Sequence, residues 1–142
     1  GFWDALLQGH SNGQLGSIEP VRDEVLRGKD ALAKWVKDEV PDSFFETIKD
    51  ESTQAAYKEI IQSVQENDRY SAAAKHKFAQ DADPWLIAVA ETSGATIVTY
   101  EVAEPDSKAK IKIPDVASTV GVKCLPPYVM LRNLKFKLKL DG

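Results

Sequence analysis

Ala82-Asp83-Pro84-Trp85-Leu86-Ile87-Ala88-Val89-Ala90, followed past Gly94 by Ala95-Thr96-Ile97-Val98-Thr99-Tyr100-Glu101, carries more fold information than any other part of this 142-residue chain. Residues 85–90 are apolar on every side of a helix, which predicts a helix buried all round. Pro84 suits a first helical turn and Gly94 a helix end. Residues 95–100 are a β-branched run with few charges, the pattern of a fully buried parallel strand. A buried helix leading into a buried parallel strand predicts an α/β architecture.

The flanking sequence repeats this alternation. Upstream, Ser52 is positioned to cap a helix in which Tyr57, Ile60, Ile61 and Val64 fall at i, i+3, i+4 and i+7. A short Ala-rich helix is expected around residues 72–79. Nearer the start, Phe2, Ala5 and Leu6 keep helical spacing without a polar cap before them, and Asn12-Gly13 stops that helix. Leu15 to Ile18 reads as a small buried strand, and Pro20 opens a helix that Gly28 closes. Asp30 starts another helix, placing Leu32, Trp35, Val36 and Val40 on one face, and Phe44, Phe45 and Ile48 suggest a short strand.

Downstream, residues 103–110 form a polar loop. Pro114-Asp115 opens a short helix closed by Gly121, and Val122 to Leu125 forms a buried strand. Pro126-Pro127 starts a last helix through Val129, Met130 and Leu134. Phe136, Leu138 and Leu140 then alternate with Lys135, Lys137 and Lys139, as in an edge strand with one basic face. Short strands joined by helices predict a single α/β domain with a mainly parallel sheet.

The bulk properties bound the function. At 43% hydrophobic and 28% charged residues the chain has an ordinary globular composition. The single cysteine, Cys124, reads as a buried strand thiol, and with neither a signal peptide nor a spanning run in view the expected compartment is the cytoplasm. The net charge of -4 conceals a division: residues 1–106 hold ten Lys/Arg against twenty Asp/Glu, residues 107–142 eight against two. A basic rim beside acidic groups suits phosphate contact and metal binding; a dipolar surface without a ligand is the plainer reading.

In open parallel sheets ligands sit beyond the carboxyl ends of the strands. The polar groups expected there are acidic: Asp23 and Glu24, Asp81 and Asp83, Glu101, and Asp115. Hard oxygen donors without Cys or His favour Mg²⁺ or Mn²⁺. Each acid also has a structural reading: Asp83 and Asp115 as helix caps, Glu24 as a solvated helix residue, Glu101 as a loop acid. His10 and His76 read as surface residues, so a Ser-His-Asp or Cys-His arrangement has little to draw on. Gly13-Gln14-Leu15-Gly16 makes no dinucleotide or P-loop fingerprint, and Trp35, Phe44, Phe45 and Trp85 read as core.

Asp23-Glu24-Val25-Leu26-Arg27-Gly28 resembles the Glu-Leu-Leu-x-Gly segment of PIN domains in VapC-like toxins. The stretch from Ala82 to Ala90, with the strand ending Thr99-Tyr100-Glu101, resembles that family's third-acid helix and the strand closing in Thr-x-acid. Lys110-Ile111-Lys112-Ile113-Pro114-Asp115-Val116 and Gly121-Val122-Lys123-Cys124 are similar to a bacterial PIN-like subfamily of unknown function. The resemblance implies a three-layer α/β/α sandwich and a Mg²⁺- or Mn²⁺-dependent endoribonuclease, the toxin of a toxin-antitoxin pair, with a cognate antitoxin as partner and a homodimer as a frequent assembly. Carried over by position, Glu24, Asp83 and Glu101 are implied as catalytic metal ligands, Asp115 as a further ligand, and Thr99 as a hydroxyl orienting a ligand. Lys108, Lys110 and Lys112 are implied phosphate contacts on RNA, unless they are merely solvated. The family begins with a strand carrying a central aspartate, absent from these residues, so the domain is expected to be incomplete at its front by roughly one strand and loop, about 15 to 25 residues. A non-catalytic protein-binding module and a metal-dependent DNA nuclease are the alternatives on the same fold.

Overall fold

The computed structural model describes residues 2–133; the basic alternation at 135–140 and the end of the last expected helix at Leu134 lie outside them. Eight α-helices and four two-residue strands make up a mixed α/β arrangement among the described residues. In chain order these are α1 (Phe2–Ser11), β1 (Ser17–Ile18), α2 (Glu19–Arg27), α3 (Ala31–Glu39), β2 (Phe45–Glu46), α4 (Glu51–Gln65), α5 (Ala72–Gln80), α6 (Asp83–Ser93), β3 (Ile97–Val98), α7 (Ile113–Thr119), β4 (Cys124–Leu125) and α8 (Pro127–Asn133).

The strands form two separate parallel pairs. β1 lies beside β2 with Ser17 opposite Phe45, and β3 lies beside β4 with Ile97 opposite Cys124. The long buried strand expected over 95–100 is therefore corrected to a short one. Ala95 and Thr96 are exposed, and pairing extends past Val98 only through the Thr99 N–H donating to the Leu125 carbonyl at 2.9 Å. With one short neighbour among the described residues there is no longer ladder there to hold more of the run extended.

α6 forms where expected but is buried only in part, since Trp85, Leu86 and Val89 are half-buried. No residue from 82 to 90 is exposed, Pro84, Ile87, Ala88 and Ala90 are buried, and Gly94 ends the helix at φ 72°. It packs on α4, whose Ala56, Ile60 and Val64 form one buried line. The cap of α4 is Asp50 rather than Ser52. The Asp50 carboxylate accepts from the Thr53 N–H and from the hydroxyls of Ser52 and Thr53. An N-cap acceptor reaches the N–H two or three residues on, and Ser52 already lies within the first turn.

Two hydrophobic clusters result. The larger runs from Ala56 to Val122 through α4, α5, α6, β3 and α7; the smaller gathers Val36, Val40 and Phe45 with Leu7, Val25, Trp35 and Phe44. Leu32, expected on the buried face of α3, is exposed. The buried line there is Ala33, Val36 and Val40, one residue over, which turns Leu32 about 100° away. His10, expected at the surface, is half-buried. Its Nδ1–H donates to the Leu15 carbonyl and its Nε2 accepts from the Ser43 hydroxyl, each at 2.9 Å, tying α1 to the turn before β2.

Candidate functional site

α2 follows β1 directly and carries Glu24 on a half-buried part of its surface. Glu24 Oε1 accepts from the backbone N–H of Ala82 at 2.6 Å, at the entrance of α6. Glu101 stands three residues beyond β3, and its Oε2 accepts from the backbone N–H of Ile113, the first residue of α7, at 2.7 Å. The first N–H groups of a helix have no partner within it and carry partial positive charge, so each carboxylate satisfies a donor and gains from the helix dipole. The Thr99 hydroxyl accepts from the Glu101 N–H at 3.0 Å and fixes the turn that aims this residue.

Asp83 lies at the first position of α6, where the reading of it as a cap does not hold. Ala82 occupies the cap position and has no capping side chain of its own; the carboxylate at this helix entrance is that of Glu24. The Asp83 carboxyl is half-buried and pushed up to about 6, first by burial and then by the negative charges of Glu101, Glu24 and Asp81, with Lys77 opposing. Burial and like charges both disfavour the ionised form. Lys77, which the sequence reading missed, pairs with Asp81 at 2.8 Å across one turn at the end of α5. Its signal was present as a Lys and an Asp at i, i+4.

The structure thus brings Glu24, Asp83, Glu101 and Asp81 into one electrostatic neighbourhood from α2, α6 and the segments after α5 and β3. Asp115 faces another set of groups. Its Oδ2 accepts from the Glu104 N–H at 2.9 Å, and its charge acts on Tyr70. It is the third residue of α7 and does not cap that helix. Asp23 is exposed and sits beside Arg22, with Oδ1 3.8 Å from Nε. Lys108 and Lys110 are exposed in the loop before α7, and Lys112 is half-buried at its entrance. That loop is tied down by the Ser71 N–H donating to the Lys108 carbonyl at 2.9 Å and by the Arg69 guanidinium donating to the Pro105 carbonyl.

The donor chemistry at Asp83 suits a hard divalent cation, since among the described residues Lys77 is the cation whose charge opposes the crowded carboxylates there. Among the described residues no three His, Cys, Asp or Glu side chains stand in a group able to hold a metal. Glu24 and Glu101 are each turned with one oxygen onto a helix entrance. No described helix is long and apolar enough to cross a membrane. No curated protein and no solved structure matches the chain. Residues 1–138 do match the family described as Domain of unknown function (DUF4411), and the chain belongs to that family.

Proposed function

We propose that this protein is a PIN-like, Mg²⁺- or Mn²⁺-dependent endoribonuclease, the toxin of a toxin-antitoxin pair, its parallel strand pairs belonging to a three-layer α/β/α sandwich. The observation that carries the reading is Asp83, a half-buried carboxyl raised to about 6 by its surroundings and by acids from separate elements. Such crowding costs stability in the free protein and is characteristic of sites that act on a ligand. On this reading Glu24, Asp83 and Glu101 are the acids that would contribute to holding a divalent ion, although they do not form one ligand group as they stand among the described residues. When bound, the ion supplies charge neutralisation at a phosphodiester and an activated water.

The chain's own contribution is positioning. Backbone N–H groups at two helix entrances hold Glu24 and Glu101 by one oxygen each, and Thr99 holds the Glu101 backbone. Lys77 supplies a cation beside the acids, and Lys108, Lys110 and Lys112 supply phosphate contacts on the following loop. Asp115 belongs to this reading as a residue that orders the loop through the Glu104 N–H. A cognate antitoxin and a second copy of the chain are the protein partners that go with it.

One observation favours a second reading, a non-catalytic binding module. Glu24 and Glu101 already do structural work at helix entrances, and no three-residue metal group closes among the described residues. Growth arrest and Mg²⁺-dependent RNA cleavage by the intact protein separate the two. Cleavage abolished by Asp83→Asn with Glu24→Gln supports the ribonuclease; cleavage unchanged by both substitutions removes these residues from the site. A protein that binds partners and never cuts RNA in Mg²⁺ or Mn²⁺ is the binding module.

A further inference from the structure

One pairing joins two reactive side chains that lie far apart in the sequence. His10 is the penultimate residue of α1, and Ser43 stands 33 positions later in a single 3₁₀ turn at Asp42–Phe44, just before β2. His10 Nε2 lies 2.9 Å from Ser43 Oγ, and His10 Nδ1 lies 2.9 Å from the Leu15 carbonyl oxygen. A carbonyl oxygen can only accept, so Nδ1 carries the ring proton and the Nε2 lone pair faces the serine hydroxyl. That is the tautomer in which imidazole can draw a proton from Ser43. The Phe44 ring, 5.1 Å from the imidazole, packs beside it.

A hydroxyl, a base and a group that orients the base, each within hydrogen-bond reach of the next, are the parts that activate a weak nucleophile. Burial divides them by role. His10 is half-buried and held at both ring nitrogens, whereas Ser43 is exposed, which opens its hydroxyl to molecules in solvent. A hydrogen bond at an exposed hydroxyl adds little to folding, because water competes for it. Asp42, the residue before Ser43, is also exposed, so its charge disfavours anions at this place and leaves uncharged molecules unaffected. Neither His10 nor Ser43 shares a hydrogen bond with Glu24, Asp83 or Glu101 among the described residues.

We propose that Ser43 and His10 form a nucleophile–base pair that accepts acyl groups from uncharged carboxylic esters. Ser43 Oγ bonds to the ester carbonyl carbon while its proton passes to His10 Nε2. The bond from that carbon to the ester's alkoxy oxygen then breaks, and the alcohol leaves with the proton from Nε2. Water attacks the acyl-serine in turn, giving a proton to Nε2. The Ser43–acyl bond breaks, Oγ recovers the proton, and the carboxylic acid is released. The Leu15 carbonyl positions the base throughout by holding the Nδ1 proton. This activity goes beyond the ribonuclease reading and does not depend on it.

The test treats the intact protein with p-nitrophenyl acetate and, separately, with a fluorophosphonate probe, and locates the modified residue by peptide mass spectrometry. Both reagents are expected to modify Ser43 in the folded protein and not in the urea-unfolded one. His10→Asn keeps an N–H for the Leu15 carbonyl but offers no base, and is expected to slow modification of Ser43 about a hundredfold. Ser43→Ala is expected to remove the modified peptide. Circular dichroism melting establishes that both variants are folded, and the comparison of folded with unfolded parent stands without either. A p-nitrophenyl ester carrying a free carboxylate is expected to react more slowly than the acetate. No modification at Ser43, equal modification in urea, or a rate in folded His10→Asn equal to the parent's overturns the pair. Equal rates for the two esters overturn the assignment to uncharged substrates.

Discussion

Glu24 accepts a hydrogen bond at 2.6 Å from the backbone N–H of Ala82, a residue 58 positions later in the chain. The bond joins α2 to the entrance of α6 and leaves a second carboxylate oxygen for other work. Glu24→Gln keeps an acceptor at this place, whereas Glu24→Ala leaves the N–H without one. Urea unfolding is expected to show a loss of about 1–3 kcal/mol for Glu24→Ala and much less for Glu24→Gln. Equal losses would mean that the bond is not what the side chain contributes to stability.

Asp83 makes stability depend on pH in an unusual direction for an acid. Its value near 6 lies above the ordinary 3.8, so between about pH 4 and 6 the folded protein binds this proton more tightly than the unfolded chain. The favourable contribution is fully present below pH 4 and is lost as pH rises through 6. Asp83→Asn, which cannot ionise, is expected to raise the melting temperature at pH 7.5 by a few degrees and to change it little at pH 4. A melting temperature lowered at both pH values would contradict the crowding.

The same proton competes with a cation. Mg²⁺ or Mn²⁺ at millimolar concentration is expected to raise the melting temperature at pH 7.5, where Asp83 is ionised, and to have little effect at pH 5, where it is largely protonated. Asp83→Asn is expected to remove the pH 7.5 effect. Thermal melts with Mg²⁺, Mn²⁺ and a chelator measure it directly, without any need for RNA.

Two backbone positions should respond with opposite signs. Gly94 ends α6 at φ 72°, and Lys29 adopts φ 52° just after α2, where Gly28 itself stays right-handed. Gly94→Ala places a Cβ in the left-handed region and is expected to cost about 1 kcal/mol; Lys29→Gly relieves that strain and is expected to be neutral or stabilising. Denaturant midpoints of the two variants check this.

The helices were legible because their information is local. Tyr57, Ile60, Ile61 and Val64 announce α4, and Pro84 and Gly94 bracket α6, through spacings set within a few residues. Strand length was not, because a ladder needs a neighbour: the six-residue run at 95–100 becomes two residues of strand beside an equally short β4. The site was half legible. Glu24 and Glu101 were picked by their places after strands and Asp83 by its place at a helix start, and the structure puts them in one neighbourhood. Their structural partners were hidden, since Glu24 and Glu101 reach N–H groups 58 and 12 residues away. Asp115 carried the same local signal as Asp83 yet faces Glu104 and Tyr70, because a position at a helix start does not say which way that helix is turned.

The presence of two hydrophobic clusters has a mechanical consequence. Glu24 rides on α2, whose Val25 packs against the smaller cluster, while Asp83 and Glu101 belong to segments built on the larger one. The spacing of the acids therefore depends on how α2 is seated against α6. If the proposed cation binds, it would hold α2 to the entrance of α6. Displacing α2 would carry Glu24 away from Asp83 and Glu101 and break its bond to the Ala82 N–H.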